Sequence, residues 1–251
     1  MTTRLGGTSA AGPADEYTYL AKGSVLGWGD GYGELGNGQT ANSELPVAAH
    51  LPAGTVVTAT AMAMDTTYAL TSAGKVYAWG YGGDGELGNG ASANSATPVK
   101  VSIPSGVTVS ELGTIGYGGL VRTSAGHLLA WGFGEYGELG DGSLDSSDVP
   151  VPVSLPAGTR AKAVSAGAYD GYALTTAGAV LAWGYGSDGE LGNGTTETDS
   201  DVPVPVSCRG NHGDRPVRRV LRRAGPHFGR EAAGLGVRRV RRPRQRVHDQ
   251  Q

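Results

Sequence analysis

Two glycine-rich segments have the spacing of a dinucleotide-binding loop, Gly31-Tyr32-Gly33-Glu34-Leu35-Gly36 and Gly83-Asp84-Gly85-Glu86-Leu87-Gly88. Such a loop cradles a pyrophosphate only when it joins a strand to the N-terminus of a helix. Here Asn-Gly and more polar residues follow, so both segments read as turns. The acidic stretches DGSLDSSD at 141–148 and TTETDSD at 195–201 could attract calcium. They lack the alternating ligands, mid-loop Gly and closing Glu of an EF-hand, and read as solvated loops. His50 and His127 stand alone, while His212, His227 and His248 belong to an Arg-rich terminal stretch, so no metal-ligand spacing arises. No G-x-S-x-G nucleophile elbow is present, and Glu34, Glu86, Glu138 and Glu190 read as acceptors for turn amides rather than as catalysts. The sequence predicts a protein that is not an enzyme and needs no small-molecule cofactor or metal.

What remains is a set of loops whose frame repeats while their tips vary. They carry Asp30 and Tyr32, then Tyr81 and Asp84, then Phe133, Glu135 and Tyr136, then Tyr185 and Asp188. Function tends to sit on variable loops held by a rigid scaffold, and aromatic side chains are frequent anchors of protein interfaces. These residues are the expected partner-binding set. The competing structural reading is that the tyrosines cover neighbouring repeats.

The elements that position them follow from the repeat. Trp28, Trp79, Trp131 and Trp183 are spaced 51, 52 and 52 residues apart. Each ends a strand-like run (SVLGW, KVYAW, HLLAW, AVLAW) and precedes a turn of the type GDGELGNG. Upstream stand runs such as TTYALTSAG, GGLVRTSAG and GYALTTAG, and Pro-marked segments ending in LPAG or IPSG. The run ALTTAGAVLAW reads as a hairpin with Gly at the positive-φ position. The prolines of VPVPV would break a central ladder, so that strand should lie at a sheet edge. Burying one Trp removes roughly 200 Å² from water, an upper bound of about 5 kcal/mol, which one small sheet cannot supply alone. Neighbouring sheets must therefore stack, and radial stacking of small sheets is a propeller.

The motif Trp-Gly-x-Gly-x-x-Gly-Glu-Leu-Gly-Asn-Gly, which recurs in four copies over about residues 10–207, one residue shorter after Trp28 and with Asp141 in the Asn position, resembles the regulator of chromosome condensation repeat. The resemblance implies four-stranded blades, seven of which close one ring. The expected fold is all-β: an incomplete propeller ring of about four blades plus a partial one, with units near 1–50, 51–102, 103–154 and 155–207. The opening blade lacks its beginning. Uncovered end faces would make the chain marginal, aggregating, or able to close a ring by self-association.

Charge divides the chain. Residues 208–251 hold 13 Arg against three acidic residues, and residues 1–207 hold 7 Lys and Arg against 20 Asp and Glu. The break at Cys208 falls inside a repeat. Reading the codons of this stretch one base on, with wobble bases free, allows a continuation of the repeat with a Trp codon across Leu235 and Gly236. The tail is therefore read as a shifted frame and, if translated as printed, as disordered. A nucleic-acid partner would rest on that tail alone. No 18-residue apolar run or signal peptide is visible, and no membrane association is expected. The single Cys leaves the compartment open, secreted bacterial or cytoplasmic; the style of repeat and its high-GC coding look bacterial.

The expected function is a protein-binding scaffold acting through one rim. Two alternatives follow from the resemblance: a secreted inhibitor of the β-lactamase inhibitory protein type, and guanine-nucleotide exchange on a small GTPase. The latter needs a projecting wedge, for which the evenly sized units offer no insertion.

Overall fold

The computed structural model describes residues 23–196 and 198–207. These form fourteen strands, and no helix occurs among them. The first sheet pairs β1 (Leu26–Gly29) with β2 (Ser43–Ala48). The second holds β3 (Val57–Met62), β4 (Thr66–Thr71), β5 (Val76–Gly80) and β6 (Ser95–Lys100) in chain order. The third holds β7 (Val109–Ile115), β8 (Gly118–Thr123), β9 (Leu128–Gly132) and β10 (Ser147–Pro152). The fourth holds β11 (Ala161–Ala166), β12 (Asp170–Thr175), β13 (Val180–Gly184) and β14 (Ser200–Pro205). All neighbours are antiparallel meanders, so each sheet is a blade, and β1 and β2 match the third and fourth strands of the later blades. The described residues are an incomplete propeller. The stretches 1–22 and 208–251, with the shifted-frame reading of the latter, lie outside the described residues.

The local rules hold strand by strand. The hairpins between second and third strands turn at Gly74, Gly126 and Gly178, with φ of 68, 79 and 87°. Proline-bearing β10 and β14 are edge strands, and their ladders slip in register beside the third strand. An edge strand needs fewer donors, which is why Pro is tolerated there.

The core lies between blades. Tyr68, Val76 and Leu87 of the second blade pack with Val109, Val121 and Trp131 of the third. Leu120, Leu128 and Leu139 of the third pack with Val164, Ala173 and Trp183 of the fourth. Trp79, Trp131 and Trp183 are wholly buried, whereas Trp28 on the first sheet is 65% exposed. Stacking, rather than any single sheet, therefore takes these indoles out of water, as the repeat predicts.

Candidate interaction rim

Chain direction gives each blade two rims. The upper rim carries the loops between first and second strands and between third and fourth strands. The lower rim carries the second-to-third hairpins and the connections between blades. Every variable loop singled out in the sequence lies on the upper rim.

A fixed frame builds those loops. Gly80, Gly132 and Gly184, directly after each Trp, have φ of 108, 103 and 97°. A Cβ on any of them would sit 2.3 Å from the carbonyl oxygen of Asp65, Tyr117 or Tyr169 respectively. Glycine is required there for both reasons. The next residues, Tyr81, Phe133 and Tyr185, donate their N–H to those same carbonyls at 2.8, 2.9 and 2.8 Å. Deeper in the turn the repeated Glu bends back. Glu86, Glu138 and Glu190 each accept a turn N–H, from Asp84, Tyr136 and Asp188, at 2.9 Å. The amide-acceptor reading of these glutamates is thus what the structure shows. The second oxygens of Glu86 and Glu138 are buried without a partner. Burial pushes the Glu86 carboxyl above its ordinary pKa and that of Glu138 up to about 7.

On this frame stands a five-ring cluster. Tyr136 meets Phe133, Tyr169 and Tyr185 at ring-centroid distances of 6.0, 5.6 and 5.5 Å. Tyr117 lies 6.1 Å from Phe133 and 5.6 Å from Tyr169, and Tyr169 lies 6.4 Å from Tyr185. The rings bridge the third and fourth blades in tilted and edge-to-face geometry, which favours their quadrupoles. Tyr136 protrudes, and the others are half-buried. These rings thus cover a blade seam, as the structural reading of the tyrosines expects, and Tyr136 also faces solvent.

The structure brings Phe133, Tyr136 and Tyr185 together, with exposed Glu135 and Asp188 beside them. Tyr81 and Asp84 sit on the adjacent blade, where the Asp84 and Glu86 charges raise the Tyr81 pKa. Asp30 and Tyr32 are exposed on the first blade, outside the ring cluster. Tyr117 and Tyr169 are not in the set expected from the sequence because they precede the landmark Trp of their repeats. Their signal was available: Asp65, Tyr117 and Tyr169 are spaced by 52 residues.

Charge is sorted between the rims. Of seventeen described carboxylates, sixteen lie on upper-rim loops or at the upper ends of strands. No described Lys, Arg or His does. Lys75, Lys100, Arg122, Arg160, Lys162, His50 and His127 all sit on the lower loops or lower strand ends. The one acid in the lower half, Glu111, is neutralised by Arg122 at 2.7 Å. The upper rim therefore presents aromatic rings in a field of one sign.

The chain matches the model of the regulator of chromosome condensation (RCC1) repeat over residues 73–113, 125–174 and 177–220. It is 32% identical over 203 residues to the Arabidopsis thaliana ultraviolet-B receptor UVR8, covering 80% of this chain and 46% of that protein. To the human E3 ubiquitin-protein ligase HERC2 it is 34% identical over 218 residues, 82% of this chain but 4% of HERC2. Human WBSCR16 superposes with a TM-score of 0.65 at 28% identity, over 79% of this chain and 52% of that one. Yeast RCC1 (Prp20), solved with Kap60 bound, gives 0.63 at 23% identity over 74% and 45% of the two chains, which speaks to the fold alone. The chain spans about half the length of UVR8 and WBSCR16. These relatives are eukaryotic, so the bacterial style read from the repeats gains no support from them. By repeat, blade and family model together, the chain belongs to the RCC1 repeat family.

Proposed function

We propose that the chain is a non-catalytic propeller scaffold that binds a basic protein surface through its upper rim. The observation that carries this is the sorting of charge: aromatic rings and sixteen carboxylates on one rim, with the described cations at the other. A basic partner would be steered to the upper rim by its field and would find tyrosine faces there for Arg or Lys. Proteins of the same fold also work by protein contacts. Yeast RCC1 is bound by Kap60, and Prp20p is described with its binding to Gsp1p and histones. The rim residues in the binding set are Asp30, Tyr32, Tyr81, Asp84, Phe133, Tyr136, Tyr185 and Asp188, to which Tyr117 and Tyr169 are added.

The test is fluorescence anisotropy with two labelled peptides of equal length, one Arg-rich and one Glu-rich, at several salt concentrations. The reading expects binding of the Arg-rich peptide, weakening as salt rises, and none of the Glu-rich one. Equal binding of both, or salt-independent binding, would refute it.

A further inference from the structure

From the second blade to the fourth, three upper-rim positions recur every 52 residues with different side chains. In the turn between first and second strands they are Asp65, Tyr117 and Tyr169. Two residues after each Trp stand Tyr81, Phe133 and Tyr185, and five residues after it Asp84, Tyr136 and Asp188. The backbone frame beneath them is common to the three blades, so they form one display whose chemistry changes along it. Acid stands on the second blade, rings fill the third and its seam with the fourth, and acid returns at Asp188.

The rings are crossed steeply, with Tyr136 at 82° to Tyr169 and 79° to Tyr185. Rings crossed in this way fill the space between them, so the cluster is an open ledge rather than a cage, with Tyr136 at its crest. Exposed Glu135 and Asp188 stand beside the crest. On the second-blade side, the exposed Asp65 carboxylate adds to the raised hydroxyl pKa of both Tyr81 and Tyr117. Its effect comes behind that of the Asp84 charge on Tyr81 and of the hydrogen bond with Tyr169 on Tyr117. Among the described residues no cation pairs with any of these acids, since the one ion pair joins Arg122 to Glu111. On the first blade Tyr32 holds the place of Tyr136, but among the described residues it stacks on no other ring.

We infer that this ledge is an arginine seat: one guanidinium of the basic partner lies flat on Tyr136, its edge N–H groups turned to Glu135 and Asp188, and Arg is taken in preference to Lys. A guanidinium is planar and weakly hydrated, so it can stack on a single open ring face while its fork reaches carboxylates beyond the ring edge. An ammonium is compact and strongly hydrated, and one open face offers it little in exchange for its water. Packing against Phe133, Tyr169 and Tyr185 holds Tyr136 in place before the partner arrives, which lowers the cost of ordering it. The seat rests on the basic-partner reading of the rim and names the side chain that the rim selects.

The test is fluorescence anisotropy on the full chain with two labelled peptides of equal length and charge, alike except that one carries Arg where the other carries Lys. The Arg peptide should bind wild type about tenfold more tightly than the Lys peptide. Tyr136→Leu keeps apolar bulk on the ledge but removes the ring, and should bring that ratio to about twofold or less by weakening the Arg peptide alone. A second variant, Glu135→Gln with Asp188→Asn, changes only exposed side chains and should also lower the ratio, so the test stands even if Tyr136→Leu lowers the melting temperature. Equal affinity of wild type for the two peptides would overturn the arginine seat and leave the basic-partner reading standing. A preference for Arg that survives in both variants would overturn the seat as well. Binding of neither peptide would overturn both readings.

Discussion

On the upper rim, each of the first three blades holds a Gly-Glu-Leu-Gly turn whose Glu carbonyl accepts the indole N–H of the next blade's Trp, and above these turns stand tyrosines and carboxylates. On the lower rim, the same strands end in short Thr/Ser-Ala-Gly hairpins and Pro-marked connections, dotted with a few cations. The upper frame spends glycine and buried carboxylate on holding its loops still, as at Gly132 and Glu138. The lower loops combine ordinary hairpin bonds, such as the Thr123 N–H to the His127 carbonyl at 2.8 Å, with one backbone bond from the next blade, as from the Ala161 N–H to the Gly126 carbonyl at 2.8 Å. A rim so heavily braced is one whose shape matters, since preorganised side chains bind at lower entropic cost. Bracing and display are separate layers of one loop, and substitutions should separate them.

The largest effect is expected at the brace. Gly132→Ala would place a methyl 2.3 Å from the Tyr117 carbonyl at a φ of 103°. A stability loss of about 3 kcal/mol or more is expected from the combined strain and clash, read from thermal or urea melts. The change on the lower rim at Gly106, in the connection between the second and third blades, meets no atom within 4 Å, and its cost should be only that of its φ of 78°. Equal losses at the two sites would remove the distinction between the rims.

Next comes pH. Glu138 keeps its proton in the folded chain up to about pH 7, against 4.5 for an ordinary Glu, because burial disfavours the charge. The folded state therefore binds the proton more tightly than the unfolded one. Its stabilising contribution is complete below about pH 4.5 and is lost as pH rises through about 7, by about 3 kcal/mol at most. Glu86 is raised in the same direction. Glu138→Gln should flatten this slope while keeping the acceptor for the Tyr136 N–H. An unchanged slope would place the titration elsewhere.

Smaller effects are expected at the display layer. Tyr136→Ala should cost about 1 kcal/mol or less of stability, since the side chain is 38% exposed, yet weaken a basic peptide about tenfold. A large fall in melting temperature would assign Tyr136 to the seam alone. Smallest of all, Lys75→Glu on the lower rim should change stability by no more than about 0.5 kcal/mol and leave peptide binding within about twofold. A marked change in binding would mean that the lower rim takes part.

Most of the architecture was legible because the repeat is written in residues with narrow backbone roles. Trp183 followed by Gly184, the Asn193-Gly194 turn and the prolines of β14 each name a local conformation, and the 52-residue period forces the sheets to stack. The candidate rim was half legible. Phe133, Tyr136 and Tyr185 follow an obvious landmark, but Tyr117 and Tyr169 stand in a first-to-second-strand turn with no motif of its own. They join the cluster only through backbone bonds from residues sixteen positions on. The sorting of charge was hidden for a different reason. Carboxylates and cations alternate along the chain, and only strand direction sends them to opposite rims.

The most direct measurement compares charge reversal on the two rims in one binding assay. The Arg-rich peptide is titrated into wild type, into Glu135→Lys with Asp188→Lys, and into Lys75→Glu with Arg160→Glu, each first checked for an unaltered melt. The account predicts that the upper-rim pair abolishes measurable binding while the lower-rim pair leaves it unchanged. Loss of binding from the lower-rim pair with retention in the upper-rim pair would contradict it.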